Sequence, residues 1–357
     1  MQLKRLLKFS KLKIEKPLIV PIFIPHVGCP YHCAFCNQAV ITGVKNNIPS
    51  PEQLHQQIDT FLSFKTKQRN KVQIAFFGGN FLGLEKDDAE YLLNEADKFV
   101  KAGSVDSIRF STRPDTIDDQ RLDIIKKYPV STIELGVQSM NDEVLSLVKR
   151  GHASSDTEKA VYLLKERNYE TGMQLMVGLP GDDEAGMLAT GRKTTELCPD
   201  FVRIYPTVVV AGSLLARWYK KGKYSPLPLE KCVTLVKKLY ILFREKNIPV
   251  IRMGLQASDD LNGGAVLAGP YHPAFGHLVH SEIFLDMAKE ELLTSRFSLP
   301  GSDISFLVNP RSISKMRGIK NRNIKILKEK FSVKSIKIIP DSSMAEDELK
   351  IKSPNSK

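Results

Sequence analysis

The sequence lacks what most special environments demand. Five cysteines in 357 residues, an odd number, exclude an oxidised disulfide framework, and a reducing, cytoplasmic setting is expected. No apolar run approaches the roughly 20 residues needed to span a bilayer, so no membrane is expected among the partners. The opening MQLKRLLKFSKLKIEK is basic, yet it has neither the apolar stretch nor the small-residue cleavage site of a secretory signal. No internal repeat is evident. With 42% hydrophobic and 26% charged residues, the composition excludes collagen-like and wholly disordered chains. The length can bury a sizeable core and suits one large α/β domain with an appendage, or two ordinary domains.

What the sequence holds in excess is positive charge, a formal net of +12. It sits in two places. Residues 1–16 carry Lys4, Arg5, Lys8, Lys11, Lys13 and Lys16 against Glu15, a net of +5. Residues 307–337 carry ten Lys and Arg against Glu329 alone, a net of +9, which leaves the remainder close to neutral. Such runs serve either as solvated surfaces or as a surface for a polyanion, most simply RNA or DNA.

Between these runs, short apolar segments alternate with segments of helical period. The apolar runs are Leu18–Pro25, Val72–Phe77, Ser107–Thr112, Thr132–Val137, Gly172–Val177 and Phe201–Tyr205. Ser50 and Pro51 open a helix with Gln53 at the capping-box position, and a long helix near 228–246 carries the stripe Cys232, Leu235, Val236, Leu239 and Phe243. A further strand is expected near Pro249–Met253. Near-continuous apolar strands joined by helices read as a parallel sheet covered by helices. The unusual residues all follow a strand: Cys29–Cys36, Gly78-Gly79, Ser111–Asp115, Gln138-Ser139, Gly178–Gly181 and Pro206–Gly212. In a barrel they converge on the carboxyl-end face, whereas an open doubly wound sheet scatters them about a crevice. The prediction is α/β: a partial (β/α)6 TIM-like barrel of parallel strands with a small C-terminal α+β appendage. Its segments are a basic arm over 1–16, the core barrel over 17–255 and a Gly/Pro-rich closing segment over 256–300. A small basic β-α-β appendage over 301–340 and a disordered tail over 341–357 complete the chain.

Cys29-x3-Cys33-x2-Cys36 is the strongest local signal. Thiols this close on one loop point to a soft metal or an iron–sulfur cluster. Zinc is the competitor, with His26 or His32 as a fourth ligand, although structural zinc usually takes a second C-x2-C pair, which is absent here. Three thiolates on a cubane would leave one iron open for a substrate or cofactor. Cys198 and Cys232 lie far along the chain in apolar settings and read as core residues. His272, His277 and His280, in the stretch from Gly269 to His280, either line a site or belong to a closing loop.

CPYHCAFC, preceded by PIFIPHVG, resembles the cluster loop of the radical S-adenosylmethionine superfamily. FFGGNF resembles its second-strand glycine motif, STRPD the third-strand motif, and IELGVQSMNDEVL with Arg150-Gly151-His152 the fourth. MVGLPGD and RIYPTVVVAGSLLARWYKKGKYSPL resemble the segments that follow in the elongator protein 3 family, the catalytic subunit of Elongator. The resemblance covers about residues 17–255.

The resemblance implies that Cys29, Cys33 and Cys36 hold a 4Fe–4S cluster whose open iron is chelated by S-adenosyl-L-methionine. Reductive cleavage of that cofactor would give a 5′-deoxyadenosyl radical, with an electron donor such as ferredoxin or flavodoxin. Gly78 and Gly79 would let main chain approach its methionine end. Ser111 and Arg113 are implied partners of its ribose and carboxylate, and Glu134 and Gln138 of the ribose or substrate. For Gly178–Gly181 a simple strand-to-helix turn and an adenine contact are both open. Superfamily members often carry Glu just after the glycines, where this sequence has Asn80. Elongator-type proteins also continue into an acetyltransferase domain; only about 100 residues follow the match here, so acetyl-CoA dependence is not expected. No catalytic residue is assigned.

The leading expectation is a radical enzyme acting on RNA, most plausibly tRNA. A small-molecule radical oxidase, as in oxygen-independent coproporphyrinogen oxidases, is the alternative. A noncatalytic cluster or zinc protein that binds nucleic acid is the third.

Overall fold

The computed structural model describes residues 17–24, 26–38, 40, 48–66, 71–256, 264–294 and 301–352. The basic arm over 1–16 therefore lies outside the described residues. The chain divides into two compact units. One takes in the described residues up to Pro228 together with Ile248–Tyr271; the other takes in Leu229–Asn247 and the described residues from His272 onward.

The first unit is built on seven strands: β1 (Leu18–Phe23), β2 (Val72–Phe77), β3 (Ser107–Thr112), β4 (Val130–Gln138), β5 (Glu170–Val177), β6 (Phe201–Pro206) and β8 (Val250–Met253). They pair in chain order, and every pairing is parallel. The helices between them are α1 (Pro51–Leu62), α2 (Lys86–Lys101), α3 (Asp119–Ile125), α4 (Asp142–Leu147), α5 (Ser154–Glu166) and α6 (Glu184–Glu196). Right-handed crossovers that always step the same way leave their helices on one face, and the sheet curls into part of a barrel. A doubly wound sheet would reverse its order at a switch point; this one does not. The strand count is seven rather than six, because the stretch near Pro249–Met253 completes the sheet. A two-stranded ribbon of β7 (Val209–Val210) and β9 (Val266–Ala268) follows, with α7 (Leu214–Lys220) after β7.

Local chemistry explains the elements. The Ser50 hydroxyl accepts from Gln53 N and the Gln53 side chain accepts from Ser50 N, closing the capping box of α1. In β1, Leu18, Val20 and Ile22 are buried while Ile19, Pro21 and Phe23 are half-buried, the period-2 signature of a strand with two different faces. Pro21 is tolerated because, among the described strands, β1 pairs only with β2 and so forms an edge. Phe76, Phe81 and Phe110 stack in the wall behind the sheet, with ring centroids 4.4 Å apart for the last pair.

The second unit contains α8 (Leu229–Glu245), α9 (Phe275–Thr294), α10 (Ile313–Arg317) and α11 (Arg322–Phe331), with β10 (Asp303–Val308), β11 (Ser335–Pro340) and β12 (Leu349–Ile351). The stripe Cys232, Leu235, Val236, Leu239 and Phe243 is buried along α8, as its period predicts. The β-α-β of β10, α11 and β11 is also present, its strands parallel.

Two sequence expectations need correction here. Residues 256–300 do not form a closing segment throughout: Phe275–Thr294 is a helix packed among α8, α10, α11 and β12. Its apolar residues lie all round the axis, as suits a central helix, so no stripe marked it. The stretch 341–357 is not a disordered tail as far as it is described. Leu349–Ile351 pairs antiparallel with β10, Leu349 is buried, and Arg244 on α8 bonds Asp347 at 2.5 Å. Leu349→Ala is expected to destabilise this unit by about 2–5 kcal/mol in denaturant titrations; a change near zero would restore the disordered reading.

Candidate functional site

The loop after β1 folds back on itself. His26, at φ +56°, donates its backbone N–H to Gln38 Oε1 at 2.6 Å, and its Nε2 accepts from Gln38 N at 2.8 Å. This clasp fixes the two ends of the cysteine loop and takes His26 out of the zinc reading as a free ligand. Within the loop Cys29 N and Cys36 N bond to His26 O and Cys33 O. Cys33 is buried and its sulfur accepts from Arg150 Nη1 at 3.4 Å, while Arg150 Nη2 donates to Gly136 O at 2.6 Å. Burial pushes the Cys29 and Cys36 thiols up, the neighbouring sulfurs push the same way, and Arg150 opposes them. Burial therefore favours the thiol form of Cys29 and Cys36; a cationic cluster would supply the charge that favours thiolates. No three His, Cys, Asp or Glu side chains among the described residues are gathered as a ready-made site for one metal ion.

The second loop is locked to the first and third by Asn80, which is fully buried. Its Nδ2 donates to Gly28 O at 2.9 Å. Its Oδ1 accepts from Thr112 Oγ1 at 2.7 Å and from Arg113 N at 2.9 Å, with Thr116 Oγ1 at 3.0 Å. The fit depends on Gly79: a Cβ there would lie 2.5 Å from Ile24 O and 2.6 Å from Val27 O. Gly78, at φ +90°, holds a backbone conformation that favours glycine.

Several polar groups converge on this mouth without partners. Gln138 sits at a bulge of β4 with φ +67°, a strained position for a side-chain-bearing residue, and its Oε1 is buried and unbonded. Arg113 Nη1, Arg150 Nε and both nitrogens of His152 are likewise buried without hydrogen bonds. His152 lies 4.0 Å from Asp115, and burial, with Arg150 close by, pulls its pKa down to about 3, so it is neutral.

Below the mouth, on the inner face of the sheet, lies a charged triad. Glu134 is buried between Arg109 Nη2, at 2.5 Å, and Arg203, whose Nε is 2.6 Å from Oε2. Arg109 also donates to Gln73 Oε1 at 3.1 Å, and Arg203 reaches over the Phe77 ring. Both oxygens of Glu134 are therefore engaged by protein cations.

Comparison with known proteins agrees with this geometry. The sequence profile described as the Radical SAM superfamily matches residues 23–193, and that described as the Radical_SAM C-terminal domain matches residues 199–284. The chain belongs to the radical SAM superfamily. A tRNA uridine(34) acetyltransferase of Dehalococcoides mccartyi is 27% identical over 69% of this chain and 62% of its own length. An uncharacterized protein of Methanocaldococcus jannaschii is 32% identical over 60% of this chain and 64% of its own. The chain thus spans less than two thirds of the length of these relatives. Elp3 of Methanocaldococcus infernus shares the fold, with a TM-score of 0.59 at 21% identity, over 77% of this chain and 63% of that one.

A radical SAM site needs a thiol loop beside polar groups that can receive a cofactor, and the donor set fits. Cys29, Cys33 and Cys36 share one clasped loop, and four nearby residues present buried polar atoms with no partner. Gly78, Gly79, Ser111, Arg113 and Gln138 all sit at the ends of their strands around it. Two expected roles change. Arg113 spends its fork on Asp115, at 2.9 and 2.8 Å, which leaves Nη1 alone for any carboxylate. Glu134 lies deeper and holds arginines rather than facing a ribose. Sequence reasoning missed Arg150 as the donor to Cys33, although Arg150-Gly151-His152 had marked the place. It also misread Cys198, which is exposed; Cys232 is buried as expected.

Asn80→Ala would orphan Gly28 O and Arg113 N, while the Thr112 hydroxyl keeps Thr116 and Leu82 N; a loss of at least about 2 kcal/mol in unfolding free energy is expected. Glu134→Gln leaves two buried guanidinium groups facing each other, and a cost of about 3–5 kcal/mol should appear in the same measurement.

Proposed function

We propose that this chain is a radical S-adenosylmethionine enzyme acting on RNA, most simply a tRNA. The observation that carries the substrate reading is the charge of the second unit. Of the ten cations in 307–337, Arg317, Lys320, Lys325, Lys328, Lys330, Lys334 and Lys337 are exposed and have no carboxylate within ion-pair distance among the described residues. Solvated helices usually lace their charges with partners; a row left unpaired suits the evenly spaced phosphates of RNA. The tRNA-uridine relative supports the same substrate class.

In this reading Cys29, Cys33 and Cys36 hold a 4Fe–4S cluster, and Arg150 steadies the Cys33 sulfur. When bound, the cluster and S-adenosylmethionine together supply a 5′-deoxyadenosyl radical. Gly78 and Gly79 give main chain access to the cofactor, while Ser111, Gln138 and Arg113 Nη1 offer it polar contacts. Glu134 acts through Arg109 and Arg203 as a positioning residue. The reductive chemistry calls for an electron donor such as ferredoxin or flavodoxin and suits the cytoplasm. No helix of the described residues is long and apolar enough to cross a membrane.

Anaerobic reconstitution followed by reduction should yield 5′-deoxyadenosine, and Cys33→Ala should abolish it. Neutralising Lys320, Lys325 and Lys328 to Gln should weaken tRNA binding and lower the slope of log K against log salt by about two to three. Turnover of a porphyrinogen with no response to tRNA would replace the RNA reading with the small-molecule one.

A further inference from the structure

One cavity of the first unit shares no lining residue with the cysteine loop and polar mouth described above, although one wall is the Gly178–Gly181 turn for which an adenine contact is also open. Its volume is about 520 Å3, within the size range of small-molecule sites. One wall is the turn after β5, Gly178 to Asp182; the opposite wall is Trp218 on α7 with Tyr224 and Leu227 beyond it. At its base the walls approach closely, as only glycine permits. A Cβ on Gly178 would lie 2.9 Å from Leu227 Cδ1, and one on Gly181 would lie 2.7 Å from Leu147 Cδ2. The Tyr224 hydroxyl donates to Gly178 O at 2.7 Å and pins the far wall. Trp218 packs against the buried cluster of Ala34, Val144, Val148 and Leu179, which holds its ring in place. Asp182 is half-buried in the cavity with Oδ1 accepting from Asp183 N, and burial raises its pKa to about 6, so it is mostly ionised at neutral pH. Lys223, exposed, stands among the lining residues.

We propose that this cavity receives one unstacked nucleobase of the RNA substrate, its ring against Trp218, its amino edge on Asp182 and its phosphate toward Lys223. The inference rests on the RNA reading and adds a base-reading site to it. Bases that leave the stack are held by aromatic faces and by hydrogen bonds to their edges. A carboxylate only accepts, so it favours guanine, cytosine or adenine, whose edges carry amino groups, over uracil.

Trp218 is the only tryptophan in the chain, so its emission reports on the cavity directly. The probes are guanosine, cytidine, uridine and guanosine 5′-monophosphate, titrated into the anaerobically reconstituted full chain. Saturable quenching is expected, weaker for uridine, and unchanged by saturating S-adenosylmethionine. Asp182→Asn should lower guanosine affinity about tenfold, as losing one good base-edge contact does. Lys223→Gln, on the exposed rim, should weaken the monophosphate and spare the nucleoside; it tests the same site should the Asp182 variant fold poorly. Absence of saturable quenching, or affinities that neither substitution changes, would overturn the proposal. So would S-adenosylmethionine quenching alone and displacing the nucleosides, which would make the cavity part of the cofactor site. A gel-shift assay with tRNA separates the two readings. Bound tRNA without nucleoside quenching sinks the cavity proposal alone; quenching without tRNA binding sinks the RNA occupant and with it the RNA reading.

Discussion

Seven parallel strands laid down in chain order can be joined only by crossovers that step the same way, and right-handed crossovers then stack every helix on one side of the sheet. That single constraint creates the other face. Outward residues such as Val20, Ile74 and Ile133 are buried against helices, while Arg109, Glu134 and Arg203 are left on the inner surface. Because every pairing is parallel, each loop that follows a strand lies at one end. A chain wound both ways from a central strand would set those loops about a crevice rather than around a curled mouth.

Convergence alone would leave loops of independent geometry. Asn80 removes that independence, since one buried amide satisfies groups from the first and third loops at once. The residue stands where a carboxylate is often found in the superfamily. An amide can serve as donor and acceptor together, whereas a carboxylate only accepts, so Gly28 O would lose its partner. Deeper in the barrel, Arg109, Glu134 and Arg203 form a charged floor that is stable only as a set. The mouth above it carries the unpartnered atoms of Arg113, Gln138, Arg150 and His152. Unsatisfied buried groups cost free energy, and their concentration at one place marks where a polar ligand belongs.

Much of this was legible beforehand. All six apolar runs became strands, because residues buried on the sheet's outer face leave a period that needs no partner to recognise. The capping box of α1 and the stripe of α8 were visible for the same reason. Helix α9 was not, because Phe275, Val279, Phe284 and Leu285 cover all sides of it and erase the periodic signal. Cys198 misled for a different reason: its neighbours are apolar, yet it sits in a turn at φ +47° that faces solvent. The strand at Leu349–Ile351 is three residues long and depends wholly on β10 for its hydrogen bonds.

The sequence by itself determined the chemistry and its address. Spacing within one loop named the three thiols, and the position of each motif after a strand named the end of the sheet where they would meet. Only the tertiary structure decided which side chains remain free there. Arg113 and Glu134 are both suited to a cofactor by type, but Asp115 holds one and Arg109 and Arg203 hold the other. Asn80 and Arg150 gain their roles from contacts with residues 32 to 117 positions away. Such pairings depend on how far apart loops come to rest, and residue type and local period carry no record of that distance.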